Sequence, residues 1–209
     1  ITGELKREGD TDATRLGTLF HHAAEVGGSW DDGIYMMPSV LEDDDILANV
    51  VAMQGKKKLT VSLDVGTEIN LHSPAHRLYV GLHKERSSAE RKLWCDDEEA
   101  ELVRRQVSAV LENRAAREIV ERPGTIREKA HFAKTESPLI LKALLDIASP
   151  GEGADFKTTR MNTQQAIVRD AIGKGYRYQA AHYQAVAAVD SFKFIFVTKT
   201  MRPECFVFS

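Results

Sequence analysis

Asp155, Phe156 and Lys157 in the run ADFKTT set an acid and a lysine two residues apart, and Asp146 precedes them in LLDIA. On a strand, residues i and i+2 share a face, so Asp155 and Lys157 point together while Phe156 points into the opposite layer. A turn of about eight residues then lets Asp146 sit beside them on the neighbouring strand. Two carboxylates that converge at a strand edge repel each other unless a cation lies between, and hard oxygen donors suit Mg²⁺ or Mn²⁺. A lysine two residues from a metal-binding aspartate can orient or deprotonate water, or stabilise charge building on a phosphate oxygen. The implied chemistry is metal-assisted phosphodiester hydrolysis. A bare D-x-K is also what a surface ion pair in a hairpin looks like, so the surrounding elements decide between the two.

Those elements are most legible over the last 85 or so residues. Residues 125–133 and 139–148 read as strands separated by a turn at 135–138, and a Ser-Pro-Gly-Glu-Gly turn leads to a third strand over 154–158. Three sequential strands predict an antiparallel unit. Residues 162–189 read as helical with an interruption near Gly173–Gly175, and 192–199 return to strand. Upstream, residues 12–25 place Ala13, Leu16, Leu19, Phe20 and Ala23 at helical spacing, with Gly27–Gly28 behind. Leu59, Val61, Leu63 and Val65 alternate as in a half-buried strand after the basic Lys56–Lys58 cluster, a loop-rich stretch follows to about Trp94, and 41–54 has an acid-led helical pattern. Asp96–Glu99 lead into an apolar stripe, Leu102 to Ile119, which predicts one long helix ending near Pro123–Gly124. The fold class expected is α/β, one mixed sheet flanked by helices.

The chain has 209 residues, 43% hydrophobic and 28% charged, enough for one globular domain with a real core. It contains no apolar run of the roughly 20 residues needed to cross a bilayer, and ITGELKREGD is no signal peptide; a soluble, cytoplasmic protein with no membrane partner is expected. Two cysteines, Cys95 and Cys205, cannot form a disulfide framework, a four-thiolate zinc site or an iron–sulfur cluster. Beginning at Ile1 and ending in FVFS, the chain reads as part of a longer polypeptide. Residues 1–121 carry 15 Lys and Arg against 23 Asp and Glu, whereas 122–209 carry 13 against 8. A single domain with an acidic, helical first part and a basic second part is expected, the second part handling any polyanion.

With KALLDIASPGEGADFKTTR followed by GYRYQAAHYQ, the chain resembles the PD-(D/E)XK nucleases, and among them the RecB-like and RecE-like exonucleases of phages and prophages. The family motif of a strand aspartate, a D/E-x-K strand and Q-x-x-x-Y on the next helix corresponds to Asp146, Asp155-Phe156-Lys157, and Gln179 with Tyr183. Four residues along a helix bring Gln179 and Tyr183 onto one face, where both can reach one phosphate or fix the same lysine. Gly17-Thr18-Leu19-Phe20-His21 is similar to a G-x-x-x-H segment ahead of the nuclease core, whose histidine binds metal in the family; His22 is the alternative. Arg15 is a candidate for a terminal phosphate. Glu128 matches a further acidic position and alternates with Ile126, Ala130 and Phe132, so its carboxylate is expected to face an apolar layer and to need a cation or donor. Lys129, Lys134, Arg160, Lys174 and Arg177 are candidates for phosphate contacts.

The resemblance implies an exodeoxyribonuclease that uses Mg²⁺ or Mn²⁺, held by His21, Asp146, Asp155 and the Phe156 carbonyl, with Lys157 orienting the attacking water and Gln179 and Tyr183 steadying the phosphate. It implies double-stranded DNA ends as substrate, cutting from the 5′ end, a single-strand annealing recombinase as partner, and a ring-like homo-oligomer. The alternative among enzymes is a RecB-like or Cas4-like nuclease of other polarity, of which the Cas4 type needs four cysteines where this chain has two. The remaining rival is a nucleic-acid-binding module that keeps the fold without cleaving.

Overall fold

The computed structural model describes residues 12–26, 33–42, 44–54 and 63–209. Helix α1 (Asp12–Val26) is followed by β1 (Ile34–Met36), α2 (Asp45–Gln54), α3 (Pro74–Ala89) and β2 (Leu93–Cys95). Then come α4 (Asp97–Glu112), α5 (Arg114–Val120), β3 (Ile126–Lys134), β4 (Ile140–Ser149) and β5 (Glu152–Thr159). Helices α6 (Gln164–Gly173) and α7 (Tyr176–Ala187) precede β6 (Ser191–Thr198) and β7 (Cys205–Phe208). Two compact units result: Ser29–Glu101 forms one, and α1 with Leu102–Ser209 forms the other. This division does not follow the change of charge near residue 121.

The larger unit is a mixed α/β layer built on a five-stranded sheet in the order β3-β4-β5-β6-β7. Its pairs are antiparallel except β5–β6, which is parallel and reached through α6 and α7. Alternate residues of the central strands go to opposite faces. Ile147, Ala154, Phe156, Ile195 and Val197 pack against Phe20 and Ala24 of α1, Val110 of α4, and Ala116 and Ile119 of α5. Ala143, Leu145, Phe192, Phe194 and Phe196 pack against Ile167 of α6 and Val186 of α7. Covered on both faces, β6 needs the near-continuous apolar run FKFIFV. Among the described residues no helix is long and apolar enough to cross a membrane.

Arg127 ties the helices of the first face to the sheet. Its guanidinium donates to the Ala24 carbonyl at 2.6 Å and the Val120 carbonyl at 3.2 Å. Both carbonyls lie in the last turn of a helix, where they have no acceptor role within it and where positive charge is favoured. Arg127→Met is expected to lower stability by about 2–3 kcal/mol, since charge-assisted bonds are lost to half-buried carbonyls; urea denaturation measures it.

Three expectations change. The long helix to Pro123 is two helices, because Asn113 leaves the helical region, accepts from the Ala116 N–H at 3.0 Å and donates to the Cys205 carbonyl at 2.8 Å. The sheet is accompanied by a second, two-stranded parallel one, β1–β2, in the smaller unit. The stretch before Trp94 contains α3, whose inward positions Ala75, His76, Tyr79, His83 and Ser87 are small or polar and give little hydrophobic period. Its legible signal is Ser73-Pro74, a cap whose hydroxyl accepts from the His76 N–H, followed by proline in the first turn. Leu59 and Val61 of the expected strand, the Lys56–Lys58 cluster and Gly27–Gly28 lie outside the described residues, while Leu63 and Val65 are not in a strand.

Candidate active site

Strands β4 and β5 are paired only through Ile147↔Ala154, Ala148↔Gly153 and Ser149↔Glu152. Strand β4 continues with β3 instead, from Ile126↔Ala148 out to Lys134↔Ile140. The sheet therefore parts between β4 and β5, and Asp146 is the first residue past the parting. Its Oδ2 accepts the backbone N–H of Phe156 at 2.7 Å, on the strand β4 has left. The same oxygen lies 3.3 Å from His21 Nδ1.

His21 arrives there because α1 lies close on β5. A Cβ on Gly17 would stand 3.4 Å from Thr158 Oγ1, so the glycine allows this approach one helical turn before the imidazole. Phe20 and His21 meet the ring of Phe156 edge-on, at 5.6 and 6.2 Å between centroids. Phe156 itself is fully buried, which leaves Asp155 and Lys157 on the face toward α7, as their alternation predicts. Lys157 Nζ is in contact with Asp155 Oδ2 and lies 5.3 Å from the Tyr176 ring centre and 6.0 Å from that of Phe194. Gln179 Nε2 donates to Asp155 Oδ1 at 3.4 Å. The parting is thus furnished from both layers: His21 from α1, Gln179 from α7.

Burial, then the neighbouring Asp146 charge, push the Asp155 carboxyl up to about 6, against the opposing pull of Lys157. Burial draws the His21 imidazole down, but its hydrogen bond to Asp146 and the charges of Asp146 and Asp155 outweigh that and raise it. Two carboxylates, one ammonium and one imidazole thus share the parting of the strands.

Among the sequence candidates, the structure brings Asp146, Asp155, Lys157, Gln179 and His21 together. Tyr183 does not join them: its ring lies edge-on to Phe192, 5.5 Å away, within the apolar layer under α7. Sharing a helix face with Gln179 still displaces it one turn along the axis, toward Phe192, which pairs with Gly153 rather than Asp155. Glu128 occupies the β3 position facing Asp146 between the pairs Arg127↔Ile147 and Lys129↔Leu145, with φ at +47°. The apolar layer expected around it is absent, because Ile126 and Phe132 are 49% and 66% exposed. A left-handed non-glycine residue is costly and tends to persist where function requires it; here it accompanies the change in which face the hairpin presents. Two participants escaped the sequence reading: the Phe156 N–H, invisible in a side-chain motif, and Tyr176, signalled only by its place after the left-handed Gly175.

Among the described residues, no three of His, Cys, Asp and Glu already stand as a ligand cluster. His21 is engaged with Asp146, and Lys157 with Asp155. The donor chemistry nonetheless fits a hard divalent cation: two largely buried carboxylates whose charges oppose each other, with one imidazole adjoining. Asp146, Asp155 and His21 are the residues that would hold it.

No family model matches this chain. No curated protein matches it either. Among solved structures, it is similar to a crystal structure from Eubacterium rectale provisionally described as an exonuclease, with a TM-score of 0.42 and 13% sequence identity. The likeness covers 80% of this chain, which spans only 60% of that protein's length.

Proposed function

We propose that the chain is a metal-dependent deoxyribonuclease with a PD-(D/E)XK core, acting on ends of double-stranded DNA in the manner of RecE-like exonucleases. The observation that carries this reading is the convergence of Asp146 with Asp155 and Lys157 where β4 parts from β5. Mg²⁺ or Mn²⁺, when bound, supplies charge to a phosphate oxygen and an activated water. Asp146 and Asp155 hold the ion, with His21 and the Phe156 carbonyl as further donors. Lys157 presents its ammonium to the reacting water and phosphate, and Gln179 fixes the Asp155 carboxylate that faces it. Cutting from the 5′ end leaves a 3′ strand for an annealing recombinase. A net charge of −3 makes a lone subunit a poor clamp for duplex DNA, so a ring that turns the basic 122–209 parts inward completes the proposal.

The testing experiment offers the chain linear duplex and covalently closed circles with Mg²⁺, with Mn²⁺ and with chelator. Linear DNA is consumed only with metal, and circles are spared; equal cleavage in chelator overturns the metal assignment, and rapid cutting of circles overturns end dependence. In the same preparation, His21→Ala weakens Mn²⁺ binding by about tenfold in calorimetry and His22→Ala leaves it unchanged, because His21 Nδ1 lies 3.3 Å from Asp146 Oδ2. The opposite ranking excludes His21 as a donor.

A further inference from the structure

Beyond Asp146 the β3–β4 hairpin carries a solvent-facing side with an uneven composition. Ala133, Ala143 and Leu145 face the layer under α6 and α7. The alternate positions, from Asp146 outward, face away from that layer: Ala130, Phe132 and Lys134 on β3, with Leu144, Lys142 and Ile140 opposite them. Phe132 is 66% exposed, Ile140 65% and Leu144 42%. Outward of Glu128 and Asp146 the paired strand positions of this face are apolar or cationic, in a protein whose net charge is −3, and Glu136 lies beyond them in the turn. Lys142 Nζ lies 6.0 Å from the centre of the Phe132 ring.

An exposed aromatic ring flanked by lysines on an open sheet face is the chemistry of a single-stranded nucleic acid site, where bases stack on the ring and cations meet the phosphates. The Phe132–Lys142 pair lies four residues from Asp146 along the ladder, about 13 Å at the strand rise, and on the same face as that carboxylate. A second copy of the chain is the less suitable occupant, because a two-fold contact through this face would bring two surfaces of the same positive sign together. We infer that this face of the hairpin is the track on which an unpaired strand lies as it enters the site, with Phe132 as the base-stacking platform and Lys142 and Lys134 as its phosphate contacts. This rests on the nuclease reading for what happens at Asp146.

The test titrates the full chain with a fluorescein-labelled oligothymidylate in chelator, so that binding is read without cleavage. Phe132→Ala weakens binding by about tenfold, the effect of removing one stacking platform, and Phe132→Tyr restores it. Lys142→Ala and Lys134→Ala each flatten the dependence of log affinity on log salt by about 0.7. Wild-type affinity in Phe132→Ala overturns the track, as does conversion of an oligomer to monomers by Phe132→Ala with affinity per subunit unchanged, which makes the face a contact between copies. If the Phe132 and lysine effects appear but the wild-type chain cleaves no DNA with either metal, the track stands and the nuclease reading falls.

Discussion

Asp146→Ala, Asp155→Ala and Lys157→Ala each reduce cleavage of linear duplex DNA by about a thousandfold or more, the range seen when a charge-stabilising or proton-transferring group is removed. The three variants separate in stability. Asp146 is a structural acceptor as well as a candidate ligand, because its carboxylate takes the Phe156 N–H and adjoins His21. Alanine there leaves the Phe156 amide without its acceptor and lowers stability by about 1–2 kcal/mol. Lys157→Ala leaves Asp155 without its cation and is destabilising in the same sense. Asp155→Ala removes the buried charge itself and is expected to be neutral or stabilising. Steady-state cleavage and urea denaturation on one set of preparations check both rankings. A wild-type rate in any of the three variants removes that residue from the site.

Asp155→Asn stabilises the metal-free protein at pH 7, and the gain vanishes near pH 4. In the folded chain Asp155 keeps its proton to about pH 6, whereas an ordinary aspartate releases it at 3.8. Between these values the folded state binds more protons than the unfolded state, so stability falls as pH rises through the window and stays lower above it. The difference corresponds to roughly 3 kcal/mol. At 2–4 °C per kcal/mol for a chain of this size, the melting temperature of the variant at pH 7 rises by about 6–12 °C. His21, whose pKa is raised, acts in the same direction: its charged form is favoured in the fold, and that contribution is lost as pH rises through its folded value. This shallower decline persists in Asp155→Asn and disappears in His21→Gln. Added Mn²⁺ raises the melting temperature of the wild type more than that of Asp155→Asn. Equal melting temperatures for wild type and variant from pH 4 to 8 contradict the burial of an opposed carboxylate at this position.

What could be read from sequence was whatever depends on alternation along one element. The period of two in ADFKTT sends Phe156 one way and Asp155 with Lys157 the other, and the structure has them so. Gly17 and His21, one turn apart, likewise translate directly into a close approach followed by an imidazole at Asp146. Sequence spacing failed where position along an axis mattered more than facing. Gln179 and Tyr183 share a side of α7, yet only Gln179 reaches Asp155. It failed again where the sheet departs from regular pairing, since neither the left-handed Glu128 nor the separation of β4 from β5 has a residue signature. Helix α3 was hidden because the positions it buries include two histidines and a serine, so that hydrogen bonds such as Tyr35 Oη with His83 Nδ1 at 2.8 Å replace apolar contact.

The parting of the two strands also bears on how such a chain can change by descent. Asp155 and Lys157 are positioned by β6, which runs beside β5 along its full length, whereas the outer half of the hairpin pairs only with itself. Insertion or deletion of matched residues on both sides of the 135–138 turn would lengthen or shorten the ribbon while leaving every pairing inward of it intact. Loss of a single residue on one strand would instead shift the register and send Phe132 or its opposite lysine to the other side. The hairpin is therefore a part whose length can drift in paired steps under selection, while the carboxylates it leads to stay fixed.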